Sequence, residues 1–221
     1  MKAAPPPPPP PPRISPLGDS ALTITWPGEF RAETQSWLRW VMTQIQGWGT
    51  VEDVLPSYTT LSVFYSPYHV DYETIARQVQ QILEAPSGNY PLESGRDFRI
   101  PVVYDGPDLD DVAKHTGLTT AEVIARHSGR WYDVYVVGFA PGWAYLGELD
   151  PTLVLPRRPT PRPRVPAGSI AIAARQTGVY PFALPGGWHL IGRTDQVMFD
   201  PTRAEPALLR VGDRVWFEPT R

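Results

Sequence analysis

From Tyr132 onward, proline and glycine interrupt the chain so often that only short elements fit between them. Proline lacks the N–H that a helix or a central strand needs, and glycine favours turns. Between these corners lie short apolar segments: DVYVVGF, GSIAIA, GVYPFA, WHLIGRT, QVMFD and DRVWFEP. Short strands at this spacing predict a closed or nearly closed β-barrel over residues 131–221. Its last strand follows a turn at Gly212–Asp213 and carries Val215 and Phe217.

The first half reads differently. SALTITW (Ser20–Trp26) alternates like a half-buried strand and ends at Pro27–Gly28. From Phe30 to Gln46, Phe30, Trp37, Leu38, Val41 and Ile45 recur at helical spacing, until Gly47 and Gly49 intervene. VEDVLP and TTLSVFYS are two strands around Pro56–Ser57. Asp71 is placed to cap a helix whose Ile75, Val79, Ile82 and Leu83 share one face, with a stop at Pro86–Gly88. FRIPVVY (Phe98–Tyr104) is a further strand. The order β-α-β-β-α-β predicts a ferredoxin-like domain over 14–103, and the whole chain is α+β.

Two helices, Leu109–Thr116 and Thr120–Ser128, fill a connection over 104–130. Asp108 is placed to cap the first, and Thr119 with Glu122 forms a capping box for the second. The pair resembles a DNA-binding helix-turn-helix. However, the polar residues of its second helix (Thr119, Thr120, Glu122, Arg126 and His127) include no basic cluster for phosphates, which favours a structural role.

The chain of 221 residues carries a net charge of −3, which argues against general nucleic-acid binding. It has no cysteine, which excludes disulfides, thiolate chemistry and cysteine-ligated metals. No apolar run approaches the ~20 residues that span a bilayer, and the N-terminus lacks a signal-peptide core. A soluble cytoplasmic protein is expected. Eight consecutive prolines, Pro5–Pro12, form a polyproline II tail over 1–13 that stands outside the fold.

Three stretches exceed what barrel-making needs. GFAPGWAYLGELD (Gly138–Asp150) combines sharp corners with aromatic surface from Phe139, Trp143 and Tyr145. In PRRPTPRPRVPAGS (Pro156–Ser169), five prolines separate Arg157, Arg158, Arg162 and Arg164. Proline restricts that backbone in advance, so the guanidinium groups lose less entropy on meeting an anion. In RQTGVYPFALPGGWHLIGRTD (Arg175–Asp195), Gly178, Gly186 and Gly187 let a ligand approach the main chain. Gln176 and Thr177 offer hydrogen bonds, Arg193 a bidentate grip, and His189 a proton shuttle. Each also has a plain structural reading: a turn, a structural histidine, a solvated basic loop. Spacing alone supports an anion-binding barrel surface. It shows no zinc spacing, nucleophile elbow or phosphate-binding loop.

These stretches, together with ISPLGDSAL (Ile14–Leu22), HTGLTTAEVIARHS, FDP (Phe199–Pro201) and LLRVGDRVWF, resemble the family of 5-oxoprolinase B-type subunits. That family is also called allophanate hydrolase subunit 1 and includes the inhibitor of a sporulation histidine kinase. The resemblance covers everything except the proline tail. It implies a small α/β domain followed by a cyclophilin-like barrel. It also implies pairing with a C-type subunit built on a similar barrel and, with an A-type subunit, ATP-dependent cleavage of 5-oxoproline to glutamate. ATP, with magnesium, is then expected in the assembled complex and no cofactor on the isolated chain. Where the family usually has Phe-Pro this chain has Trp143–Ala144. Where it often has Gln this chain has His189, and where it often has Gly-Gly this chain has Asp105–Gly106.

The expected site is a rigid lip, Tyr180–Asp195, with His189 and Arg193 as catalytic residues facing the same space as Thr194. Gln176, Thr177, Gly178, Tyr180, Gly186, Gly187, Thr194, Arg164, Pro141, Gly142 and Tyr145 are its expected substrate-binding residues. The alternatives are a regulatory inhibitor of a sensor histidine kinase or a subunit of an allophanate or urea-amide hydrolase.

Overall fold

The computed structural model describes residues 11–28, 32–84 and 95–220, with the backbone alone at 32, 33 and 36. Most of the proline tail, Phe30 and the Pro86–Gly88 stop lie outside the described residues. The chain divides into two compact units between Glu93 and Ser94.

The first unit runs β1 (Arg13–Pro16), β2 (Ala21–Thr25), α1 (Ala32–Ile45), β3 (Val51–Pro56), β4 (Thr60–Tyr65) and α2 (Tyr72–Glu84). Its sheet has the order β1-β2-β4-β3, with every neighbouring pair antiparallel. Leu38, Val41 and Ile45 of α1 and Ile75 and Val79 of α2 pack on Leu22, Ile24, Leu61 and Val63 of the sheet. These helical residues are the ones the 3.6-residue period selects. Asp71 caps α2 as expected, its Oδ1 accepting from the Thr74 N–H at 2.7 Å.

The second unit continues with β5 (Asp97–Val102), α3 (Leu109–Thr116), α4 (Thr120–Ser128), β6 (Trp131–Val137), β7 (Ala144–Gly147), β8 (Arg162–Val165), β9 (Ser169–Ala173), β10 (Gln176–Val179), β11 (Leu184–Gly186), β12 (His189–Arg193) and β13 (Arg214–Pro219). Seven strands form one sheet in the order β12-β9-β10-β7-β6-β13-β5, and β8 pairs with β11 in a separate ribbon.

One expected strand changes sheets. Phe98–Tyr104 forms a strand, but as β5 it pairs in parallel with β13 of the second sheet. The edge position beside β2 is taken by β1, whose first residue, Arg13, belongs to the sheet and not to the tail. The physical reason is in the side chains and an ion pair. Ile100 and Val102 bury themselves in the barrel core. Just before β5, Arg96 donates through its backbone N (2.9 Å) and Nη2 (2.8 Å) to the carboxylate of Asp213, which is fully buried in the turn before β13. Alternation marks a strand; it does not mark the sheet that the strand joins.

The sheet closes where its two outer strands meet. The residue after β5, Val103, exchanges two backbone hydrogen bonds of 2.9 Å with Arg193 at the end of β12. Two glycines permit this approach. A Cβ on Gly192 would lie 2.7 Å from the Val103 carbonyl oxygen, and one on Gly106 would overlap the backbone of Leu190–Gly192. Within the barrel, Ile170, Ile172, Val179, Ile191, Val215 and Phe217 form a continuous core with Val112 of α3 and Val123 of α4.

The two helices occupy the expected residues. Thr119 and Glu122 form the reciprocal cap, with Thr119 N to Glu122 Oε2 at 2.8 Å and Glu122 N to Thr119 Oγ1 at 3.2 Å. Arg126 donates to Thr152 at 2.8 Å, and His127 is fully buried. Of the polar side chains that a recognition helix would show to DNA, Thr119 and Glu122 thus bond each other, Arg126 bonds Thr152 and His127 is buried. No helix among the described residues is long and apolar enough to cross a membrane.

Replacing Gly192 by alanine should push the closing strands apart. Overpacking of this kind costs roughly 1–3 kcal/mol, and urea denaturation should show that loss for Gly192→Ala. Unchanged stability would mean that the Val103–Arg193 seam is not tight.

Candidate functional site

β9 is buried along its whole length, and its two faces differ. Ile170 and Ile172 point into the barrel, while Ala171 and Ala173 face a second, outer cluster of Trp143, Val165, Tyr180, Trp188 and Leu190. The small alanines leave room for large rings. Trp143 stands edge-on to Tyr180, Trp188 and Tyr145 at centroid distances of 4.6, 5.2 and 5.7 Å. Such T-shaped contacts are the favoured aromatic geometry. Phe139 continues the cluster outward, 6.1 Å from Trp143 and 67% exposed. Its φ of 71° is left-handed, a costly conformation for a residue with a Cβ and one that clusters at binding sites.

The proline–arginine stretch lies beside this cluster. Arg158 N donates to Gly187 O at 2.7 Å, and His189 Nε2 donates to Pro156 O at 2.9 Å. Further on, β8 pairs with β11 through Val165 opposite Leu184 and Arg162 opposite Gly186. The anion that these arginines meet belongs to the protein. Asp108, 2% exposed, accepts at Oδ1 from Arg158 (2.8 Å) and Arg162 (2.7 Å), and at Oδ2 from Arg162 (2.9 Å) and Leu190 N (2.7 Å). Asp108 thus starts α3 without capping it by a side-chain bond. Burial pushes its pKa up, but the hydrogen bonds from Arg162 and Leu190 and the charges of Arg162 and Arg158 hold the carboxyl below its ordinary value. A depressed carboxyl pKa stabilises the fold above the unfolded-state value and loses that contribution as the pH falls through the folded one.

The expected site residues divide among three places. Tyr145, Tyr180, Gly178 and Gly186 belong to the aromatic cluster or its packing. Gly178 is needed because a Cβ there would lie 3.1 Å from the Trp143 ring, and one on Gly186 would overlap the Tyr180 hydroxyl. These two glycines make room for rings. Gly142 has φ +76°, and a Cβ there would lie 2.7 Å from Phe199. Pro141 and Arg164 are exposed, and Gln176 is half-buried at the start of β10. Gly187 accepts the Arg158 bond that holds the arm.

His189 and Arg193 do not face one space. His189 pairs with Ile172, which points inward, and Arg193 pairs with Ser169, two residues along from Ala171 on the opposite face. Residues directly opposite in an antiparallel pair share a face. The catalytic pairing expected from the sequence is therefore not formed. A bulge between Leu190 and Gly192 contributes to this reversal, and nothing in the alternation of the sequence marks it. Arg193 instead binds Asp105 at 2.9 Å and lines, with Thr194, Gln196 and Arg203, a separate cleft of about 430 Å3. His189 Nδ1 is buried with no hydrogen-bond partner among the described residues.

Thr177 lies in the barrel interior, fully buried. Its hydroxyl donates to Ala171 O at 3.1 Å, so it accepts from His127 Nε2 at 2.8 Å. His127 Nδ1 then accepts from the Tyr104 hydroxyl at 2.7 Å. The ring also stacks on Phe217, 4.7 Å between centroids. Complete burial lowers the His127 pKa to about 3. In the sequence His127 is one polar residue of the second helix and Asp108 a candidate cap; single buried polar residues leave no periodic signal.

Two outcomes follow from these buried groups. His127 stays neutral in the fold while the unfolded chain takes up its proton near pH 6.5, so stability is full above that pH and falls below it. Between pH 6.5 and 4.5 this one proton should cost about 1.4 kcal/mol per pH unit, measured by denaturation at each pH. His127→Gln, which keeps one acceptor and one donor, should remove that slope. Asp108→Asn should turn an amide N–H2 toward groups that can only donate. Breaking a buried pair costs roughly 3–5 kcal/mol, and partly exposed arginines reduce this to about 2–4. Retention of full stability would show that the arm is not held by this carboxylate.

The sequence matches the family "Carboxyltransferase domain, subdomain C and D" over residues 12–209. It is 39% identical over 220 residues to a Bacillus subtilis protein named as the B-type subunit of 5-oxoprolinase, covering 93% of this chain and 91% of that one. It is 45% identical over 175 residues to the Escherichia coli O157:H7 protein of the same name, covering 77% and 79%. Among solved structures, TTHA0988 superposes with a TM-score of 0.81 at 36% identity, covering 91% of this chain and 40% of that protein; the chain thus spans about two fifths of it. The Kluyveromyces lactis urea amidolyase shares the fold, with a TM-score of 0.77 at 14% identity over 95% of this chain and 15% of that one. With an α+β fold, a cyclophilin-like barrel and relatives matched over most of its length, this chain belongs to the family of 5-oxoprolinase B-type subunits, built on the C and D subdomains of a carboxyltransferase domain.

Proposed function

We propose that this protein is the B-type subunit of an ATP-dependent 5-oxoprolinase and works with a C-type and an A-type subunit to convert 5-oxoproline to glutamate. The observation that carries this reading is the match, over most of the chain, to relatives named as that subunit of 5-oxoprolinase. The geometry supports a share in binding and positioning. The barrel bears a buried aromatic cluster that reaches solvent at Tyr145 and Phe139 and is bordered by a preorganised arginine arm, an arrangement suited to a compact anionic ring.

The chemistry explains why several subunits are needed. A lactam carbonyl is a poor electrophile. Phosphorylating its oxygen and then adding water to the ring carbon lets the C–N bond break, which frees the amine and leaves an acyl phosphate; a second water then releases phosphate and completes glutamate. Charge stabilisation and orientation are what a barrel surface contributes to such a sequence. ATP, with magnesium, is the co-substrate of the assembled complex, and no part of its site is assigned to this chain. The active surface lies where this barrel meets its C-type partner.

The test is reconstitution. The chain co-purified with its C-type and A-type partners should release glutamate from 5-oxoproline in step with ATP hydrolysis, and the purified chain alone should release none. An assembled complex that leaves 5-oxoproline intact would overturn the reading. Glutamate release by the chain alone would overturn the shared site. Deleting the gene should impair growth on 5-oxoproline; the histidine-kinase inhibitor reading predicts no such defect.

A further inference from the structure

The four arginines of the arm are not equivalent. Asp108 takes Arg158 and Arg162, and its carboxylate oxygens are fully engaged by them and by Leu190 N. Arg157 is exposed and makes no hydrogen bond or ion pair among the described residues. Its position is nevertheless fixed from both sides. Pro156 O is bound by His189 Nε2 at 2.9 Å, and Arg158 N is bound to Gly187 O at 2.7 Å. Residues 156–158 therefore run beside 187–189, and Arg157 lies next to Trp188. Trp188 joins Tyr145 at 6.0 Å and Trp143 at 5.2 Å in the aromatic cluster. Burial raises the pKa of both the Tyr145 and the Tyr180 hydroxyls; the Arg157 charge opposes that rise in each, and the Arg162 charge also opposes it at Tyr180.

We propose that Arg157 is the carboxylate receptor of this barrel, gripping the carboxylate of a small ring carboxylate whose apolar edge rests on the Tyr145 side of the aromatic cluster. Under the function proposed above, on which this rests, that carboxylate is the one on 5-oxoproline. The guanidinium fork matches a planar, singly charged carboxylate in two parallel hydrogen bonds. Pro156 and Pro159 restrict the backbone around it, so little entropy remains to be lost on binding. Asp108 acts as a positioning residue. It engages Arg158 and Arg162 and leaves Arg157 without an ion-pair partner among the described residues.

The test uses the assembled three-subunit complex and compares wild type with Arg157→Gln and Arg157→Lys. Arg157 is exposed and unpaired, so both variants should fold and assemble, which thermal denaturation and size-exclusion chromatography check first. Losing a charge-assisted bidentate contact should raise the KM for 5-oxoproline at least tenfold for Arg157→Gln. The lysine variant should fall between it and wild type, and kcat should change much less. The inhibition constant of 2-pyrrolidinone, the same lactam without the carboxylate, should stay unchanged. An unchanged KM in Arg157→Gln, or an equal weakening of 2-pyrrolidinone, would overturn the assignment of Arg157. A wild-type complex with no activity on 5-oxoproline would instead overturn the function on which it rests.

Discussion

The barrel depends on one seam. Val103 and Arg193 exchange two backbone hydrogen bonds and so join the two outer strands of the seven-stranded sheet. Each such bond contributes only about 1 kcal/mol net. Their weight is topological, because they turn an open sheet with two edges into a nearly closed wall around one core. Gly106 and Gly192 make room for the approach, and the segment that follows the seam delivers Asp108 to Leu190, where Asp108 N donates to Leu190 O at 2.9 Å.

From that point, Asp108 organises the outer surface. A buried carboxylate is costly unless paired and hydrogen-bonded, and this one has two arginines and a backbone N–H. The bonds tie α3, the proline-rich arm and β12 to one carboxyl group. The arm in turn supports the β8–β11 ribbon, and Gly186 of that ribbon packs against Tyr180 in the aromatic cluster. Barrel closure and the shape of the outer cluster are thus linked through a short run of residues, 103–108.

The two faces of β9 serve two clusters. The inward isoleucines and the neutral His127–Tyr104–Thr177 network complete the interior, where every polar atom of that network has a partner. The outward alanines leave space for rings, and the nearby arm carries Arg157, which makes no ion pair among the described residues.

Much was legible in the chain itself. The helical faces of α1 and α2, the Thr119–Glu122 cap, the Gly212–Asp213 turn and the short barrel strands follow from local periods and turn residues, because these act over a few neighbours. Motif resemblance likewise placed the family. Local signals could not say that the strand after residue 96 leaves the first sheet for β13, since Arg96 meets its partner Asp213 117 positions away. Nor could they show that a bulge in β12 turns His189 and Arg193 to opposite faces, that Thr177 points inward to His127, or that the arginines of the arm already hold Asp108 as their anion. Those outcomes rest on contacts between residues distant in sequence, and a buried charge chooses its partner by position in the closed fold.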